Sequence, residues 1–380
     1  MNTFRAGRIV SAAMKHSLLV MLALWAGDVG AKEPEKFVVH EWGTFSTFSG
    51  SDGKNLKFHP NDSDLPEFVH GRHRNVKGGV ADVLVSLETP VMYFYSDRDR
   101  TVSVQVDFPK GVMTDWYPQA SRPPTHDLRW DNIKLLTKCG RQLPGESEKG
   151  RYFAARETDS LFVEIAENDR RESEKFLFYR GVGDFGMPLK VRAQGSGVFN
   201  VKNTGKDMVP AFILLRSQDG KIAFQKFGRL EAGAELKVEE PSAASTTDKL
   251  AVTVIALLIE QGLYEKEARA MVKTWRSDWF SEEGTRVLYL VSEPVTADFL
   301  PVKIEPKPDQ IVRVMVGRHD VLSPERERDI DSLVKRVNGE SNQDAKLADQ
   351  ALNKLGRYRW AAQYAAEARI KANAGVRTDR

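Results

Sequence analysis

The stretch Thr101-Val-Ser-Val-Gln-Val-Asp-Phe108 sets the fold class. Its strict alternation puts Val102, Val104, Val106 and Phe108 on one face of a strand. Upstream, Asp97-Arg-Asp-Arg100 is a polar turn, and Pro90-Val-Met-Tyr-Phe-Tyr95 reads as the preceding strand, so the pair predicts an antiparallel hairpin. Thr89-Pro90 separates that strand from a further one at Asp82-Val-Leu-Val-Ser-Leu-Glu88. Toward the N-terminus, Phe37-Val-Val-His-Glu-Trp-Gly-Thr-Phe45 has the same aromatic and β-branched character. Downstream, short strands recur at Leu161–Ile165, Lys175–Tyr179, Gly197–Val201, Pro210–Leu215 and Ala234–Val238, with Gly, Asn and Asp turns between them. This pattern predicts a mainly β protein, like an antiparallel β-sandwich.

The pattern changes at the small-residue loop Pro241-Ser-Ala-Ala-Ser-Thr-Thr247. Residues Asp248 to Gln261 form a helical segment apolar nearly all round, which predicts a buried helix. Gly262 suits a left-handed cap, with Leu263 as the apolar residue after it. A second helix from Glu265 to Trp275 places Ala268, Met271, Val272 and Trp275 on one face. The two form a helical hairpin inserted before returning strands at Val287–Val291 and Ile311–Val316. Ser323-Pro324, a cap residue before a proline, opens a C-terminal helical segment. The predicted division is therefore a signal peptide at 1–31, a β-rich domain at 32–240, the hairpin with returning strands at 241–322, and C-terminal helices at 323–380. The β-rich part could also divide into two sandwiches near residue 145.

Residues 1–31 carry Arg5, Arg8, Lys15 and His16, then the apolar run Ser17–Gly27, then small residues up to Ala31. That order is the pattern of a secretory signal peptide cut after Ala31, with Met1 or Met14 as the start. The apolar run is shorter than the about 20 residues a membrane span needs, and no later run is long enough. The expected location is therefore periplasmic or secreted. Cys139 is the single cysteine. It permits no internal disulfide and no lipid-anchor cysteine after the apolar run, which fits a Gram-negative periplasm. Cleavage would lower Lys+Arg from 56 to 53 and Asp+Glu from 53 to 52, a net charge of +1. Such balance argues against a nucleic-acid partner.

Four of the six histidines after residue 31 fall between residues 40 and 73, among several acids. Imidazole and carboxylate are the usual ligands of zinc and similar divalent metals. His70-Gly-Arg-His73 could give two ligands from one loop and His40 a third, with Glu41 as the base that activates a metal-bound water. Against this, His40-Glu41 has no second histidine four residues on, and on a strand the two side chains point to opposite faces. The motif Gly181-Val-Gly-Asp-Phe-Gly186 lacks the following helix a dinucleotide site requires. Trp275 and Trp279 stand four residues apart on one helix face, an arrangement that serves either as core or as a platform for a sugar.

Several segments together resemble an uncharacterised family of exported bacterial proteins. They are Val39-His-Glu-Trp-Gly-Thr-Phe45, Glu88-Thr-Pro-Val-Met-Tyr-Phe-Tyr95, Phe178-Tyr-Arg-Gly-Val-Gly183, Gly262-Leu-Tyr264 with Met271-Val-Lys-Thr-Trp275, and Val314-Met-Val-Gly-Arg318. The resemblance spans most of residues 37–322. It implies one integrated architecture and a bacterial origin, and carries no reaction. Two functions stay open at this stage. One is an exported β-rich protein that binds an envelope protein or polysaccharide. The other is a metal-dependent hydrolase built on His40, Glu41, His70 and His73.

Overall fold

The computed structural model describes residues 36–60, 65–71, 82–167, 170–339 and 342–378. The expected signal peptide at 1–31 and His73 lie outside the described residues. Lys36–Arg380 form one compact unit.

The chain begins with β1 (Val38–Ser49), β2 (His70–Gly71), β3 (Val85–Tyr95), β4 (Arg100–Asp107), β5 (Gly111–Tyr117) and β6 (Asp127–Leu136). After the single turn α1 (Arg151–Ala154) come β7 (Phe162–Glu167), β8 (Arg170–Glu174), β9 (Leu177–Gly183), β10 (Leu189–Gly195) and β11 (Val198–Asn203). Then follow β12 (Phe212–Gln218), β13 (Lys221–Phe227), β14 (Glu235–Glu239), β15 (Ala244–Ser245), α2 (Thr247–Glu260) and α3 (Glu265–Arg276). A π-turn at Ser277–Ser281 leads to β16 (Gly284–Val291), α4 (Glu293–Phe299), β17 (Val302–Glu305) and β18 (Gln310–Val321). The chain ends in α5 (Pro324–Val337), α6 (Asn342–Asn353), a short 3-10 turn at Gly356–Tyr358 and α7 (Arg359–Thr378).

The fold is mainly β, as the alternating segments predict. A ten-stranded sheet runs β15-β13-β12-β16-β18-β1-β3-β9-β5-β2, beside a five-stranded sheet β17-β4-β6-β7-β8 and a three-stranded sheet β10-β11-β14. Pairing is antiparallel except between β1 and β18, which run parallel at the centre of the large sheet. One face of the large sheet packs against both smaller sheets: Phe45, Met92, Tyr179, Leu214 and Met315 meet Val104, Trp130 and Val163, together with Val191 and Phe199. The other face packs against the helical hairpin, where Trp42, Tyr93, Ile213 and Leu290 meet Leu258, Met271 and Trp275. The strands on either side of residue 145 mix in these sheets, since β3, β5 and β9 share one and β4, β6, β7 and β8 another. β16 and β18 return to the large sheet as expected.

Three local readings change. First, β4 does not pair with β3. Val102, Val104 and Val106 are buried on one face as predicted, but β4 pairs with β6 and β17, so the turn at Asp97–Asp99 carries the chain from one sheet to another. Backbone pairing depends on which strand lies alongside, and alternation within one strand does not specify that. Second, Asp82–Glu88 and Pro90–Tyr95 belong largely to one strand. Thr89, with φ 49°, forms a bulge where the register with β1 shifts. The extra residue lets Leu87 and Met92 reach the same core although their numbers differ in parity. Opposite the bulge, a Cβ on Gly43 would stand 2.9 Å from Met315 Sδ and 3.0 Å from Pro90 Cα, so a glycine is required there. Third, α2 is not buried all round: Val252 is 67% exposed and Ile259 41%. A helix over one sheet face can bury only one side unless another layer covers it.

Other cues hold. The Ser323 side chain accepts a hydrogen bond from Arg326 N–H, with Pro324 in the first turn of α5. Gly262 has φ 103°, and Leu263 is buried. Trp275 and Trp279 are stacked and buried in the helical core, which removes them as a sugar platform. Gly181 and Gly183 lie in β9, and Gly181 makes room for the ring of Phe108.

Candidate functional site

β1 holds both N-terminal candidates, and its alternation sends them apart. His40 faces the helical layer, where its Nδ1 lies 2.7 Å from Glu267 Oε2. Glu267 is the third residue of α3 and reaches back to accept the N–H of Tyr264 at 2.8 Å, an arrangement that satisfies an otherwise orphaned helix donor. Its other oxygen accepts the Tyr95 hydroxyl at 2.7 Å. Burial, and then the Glu267 carboxylate, push the Tyr95 hydroxyl far above the ordinary tyrosine range. The Tyr264 ring covers His40 at 4.4 Å between centroids. His40 is thus a buried, carboxylate-bound histidine that ties β1 to the start of α3.

Glu41 points into the opposite core. Its Oε2 lies 2.5 Å from Arg313 Nε on the neighbouring β18, and it accepts the Tyr179 hydroxyl. Arg313 also donates to the Leu300 carbonyl at 2.6 Å. Burial alone would lower the Arg313 pKa, but the charge of Glu41 and the Tyr179 oxygen hold it above the usual value. Such a carboxylate is neutralised by its guanidinium and held between two buried partners.

His70 sits at the far edge of the large sheet. Its Nε2 lies 2.8 Å from Glu172 Oε1, and the other carboxylate oxygen accepts Gln119 N–H at 2.6 Å. Between β1 and β2 stand β3, β9 and β5. At about 4.8 Å per strand step, His40 and His70 are about 19 Å apart, beyond the reach of one ion. The expected joint metal site of His40, Glu41 and His70 is therefore not formed, because strand order separates residues that sequence proximity groups. Among the described residues, no cluster of three or more His, Cys, Asp or Glu could hold a metal ion.

A dense buried polar assembly lies elsewhere, at the end of β18. Arg318, His319 and Asp320 are all buried. Asp320 accepts Arg286 Nε at 2.9 Å, Arg318 Nε at 2.6 Å and the Tyr358 hydroxyl at 2.9 Å. Arg318 also pairs with Glu282, and Arg357 with Glu88 on β3. Arg286 Nη1 donates to the carbonyls of Asp278 at 3.0 Å and Trp279 at 2.8 Å, so one guanidinium caps the π-turn and binds Asp320. Burial alone would raise the Asp320 carboxyl, but Arg318 and Arg286 hold it far below the usual carboxylate range. His319 is pushed down to about 4 by burial, with Thr47 Oγ1 2.8 Å from Nδ1 and Ser49 Oγ 2.9 Å from Nε2. A charged triplet inside an apolar strand run was the sequence signal for this cluster, since buried charges require partners. Those partners come from β3, β16, the loop after the π-turn and the turn before α7, and adjacency in sequence indicates none of them.

Directly against this cluster opens a groove of about 560 Å³. One wall is the ends of the β10–β11 and β12–β13 hairpins and the start of β16, represented by Ser196, Asp219 and Thr285. The other is α5, the end of α6 and Tyr358. Phe48, Leu322 and Leu355 add apolar side chains to its lining, the first two almost wholly buried in the core beneath the C-terminal helices. Arg357 and Tyr358 fasten the helical wall to the sheet through Glu88 and Asp320, and Glu327 of α5 accepts Ser51 N–H at 2.9 Å. A second hollow is lined by Arg122, Arg170 and Glu172, with Ile165 beside them. No helix among the described residues is long and apolar enough to cross a membrane.

No protein-family model matches the sequence, and no curated protein matches it. Among solved structures, the chain is similar to the yeast delta-COP-I mu-homology domain at 9% identity and a TM-score of 0.31, covering 76% of this chain and 98% of that one. The same domain complexed with a Dsl1 WxWxV peptide aligns at 8% identity and a TM-score of 0.30, with the same coverages. Similarity at this level does not assign the chain to that fold.

Proposed function

We propose that this chain is an exported envelope protein, of the bacterial family its motifs resemble, that binds a protein partner in the groove between the strand ends and the C-terminal helices. The observation that carries this reading is the groove itself: a cleft with polar and apolar lining, built from two parts of the fold fastened to each other by a buried charge pair and a buried hydrogen bond. Its volume is that of a ligand-binding cleft. Each described residue considered for metal hydrolysis is committed elsewhere, His40 to Glu267, Glu41 to Arg313 and His70 to Glu172.

A photocrosslinking amino acid at Gln218, on the groove wall, tests the reading in the intact cell. A discrete crosslinked partner is expected, and Ala351→Trp, which fills the groove from α6, should abolish it. A crosslink that survives Ala351→Trp, or none at all, refutes the assignment. Fractionation of the same cells checks export, which retention in the cytoplasm would disprove.

A further inference from the structure

We infer that two copies of this chain associate through the outer face of α2, with the two helices antiparallel about a twofold axis. Val252, Ala256 and Ile259 are exposed and stand at i, i+4 and i+7, so they form one apolar stripe on that face. Rotation of about 100° per residue puts Val252 and Ile259 on one side of Ala256, and the exposed Lys249 and Glu260 on the other. Each pair is centred on Ile255 to within one residue. A twofold axis perpendicular to the helix exchanges its ends and keeps its sides. Lys249 therefore meets Glu260 of the second copy, Val252 meets Ile259 of the second copy, and the small Ala256 near the axis lets the two backbones approach. A parallel pairing would instead set lysine against lysine and glutamate against glutamate.

The charges carry a second argument. A helix dipole favours an acid at the start and a base at the end. Lys249 lies in the first turn of α2 and Glu260 is its last residue, the reverse of that preference, and neither forms an ion pair among the described residues. The acid of the first turn, Asp248, is taken up by Arg276. Within one copy the placement of Lys249 and Glu260 weakens the helix, whereas across the axis it gives two complementary contacts. A helix of 14 residues is about 21 Å long, so the contact is small for a specific interface and the Kd should be on the order of 10 µM.

Sedimentation velocity of the purified full chain from about 1 to about 300 µM should show monomer giving way to dimer. Val252→Asp should weaken the association by at least about tenfold. Lys249→Glu and Glu260→Lys each set like charges across the axis and should weaken it too. Each also improves the match to the dipole of its own helix, so a loss of folding is not the cause. The double reversal restores opposite charges and should return the Kd to within about threefold of wild type. A chain that stays monomeric over the whole range, a dimer indifferent to Val252→Asp, or two charge reversals whose effects simply add overturns the inference.

Discussion

His319 should make a destabilising contribution to this protein as pH falls from about 7 to about 4.5. The ring is buried between Thr47 and Ser49, and burial depresses its pKa to about 4. An unfolded histidine titrates near about 6.5. A depressed value means that the unfolded chain binds the proton more readily, so the contribution is complete above the unfolded value and is lost as pH falls toward the folded one. The full span is about 3 kcal/mol, of which about 2 kcal/mol is lost between about pH 7 and about pH 4.5. Asp278 opposes this. Burial raises its carboxyl to about 6 despite the adjacent Arg151, so its ionisation weakens the fold as pH rises through the same window. The wild-type curve is therefore flatter than His319 alone would make it, and the variants separate the two. Urea unfolding of wild type and His319→Asn at both pH values is the assay. The variant costs stability near neutrality through lost packing, but the gap to wild type should narrow by about 2 kcal/mol at the lower pH. Asp278→Asn should steepen the loss of stability on acidification. A gap between wild type and His319→Asn that is equal at both pH values refutes the assignment of a neutral buried imidazole.

Two further outcomes are expected. Arg286→Met removes a partner of Asp320 and uncaps the carbonyls of the π-turn, so it should cost about 3–5 kcal/mol in chemical denaturation. A loss well below 1 kcal/mol would show that Arg318 and Tyr358 alone satisfy Asp320. His40→Ala leaves Glu267 buried with one partner fewer and should lower stability by about 1–3 kcal/mol, while added zinc should shift the melting temperature of neither form. A zinc-dependent rise that His40→Ala abolishes would restore the histidine to a metal site.

The sequence by itself determined what is local. Alternation at Thr101–Phe108 placed three valines in the core, and the same period put His40 and Glu41 on opposite faces. Ser323-Pro324 marked the start of α5, and Gly262 the left-handed cap after α2. These follow from side-chain periodicity and backbone stereochemistry, which act over a few residues. Tertiary structure alone decided which strands are neighbours, because backbone hydrogen bonds are indifferent to the side chains of the strand that supplies them. That choice sent β4 to a different sheet from β3 and put three strands between His40 and His70. It also brought Arg313 to Glu41 and Arg357 to Glu88 across 272 and 269 positions of sequence. Each of those carboxylates needs a compensating charge once buried, a requirement that can be read from one residue, whereas the residue that meets it is fixed only when the sheets and helices have packed.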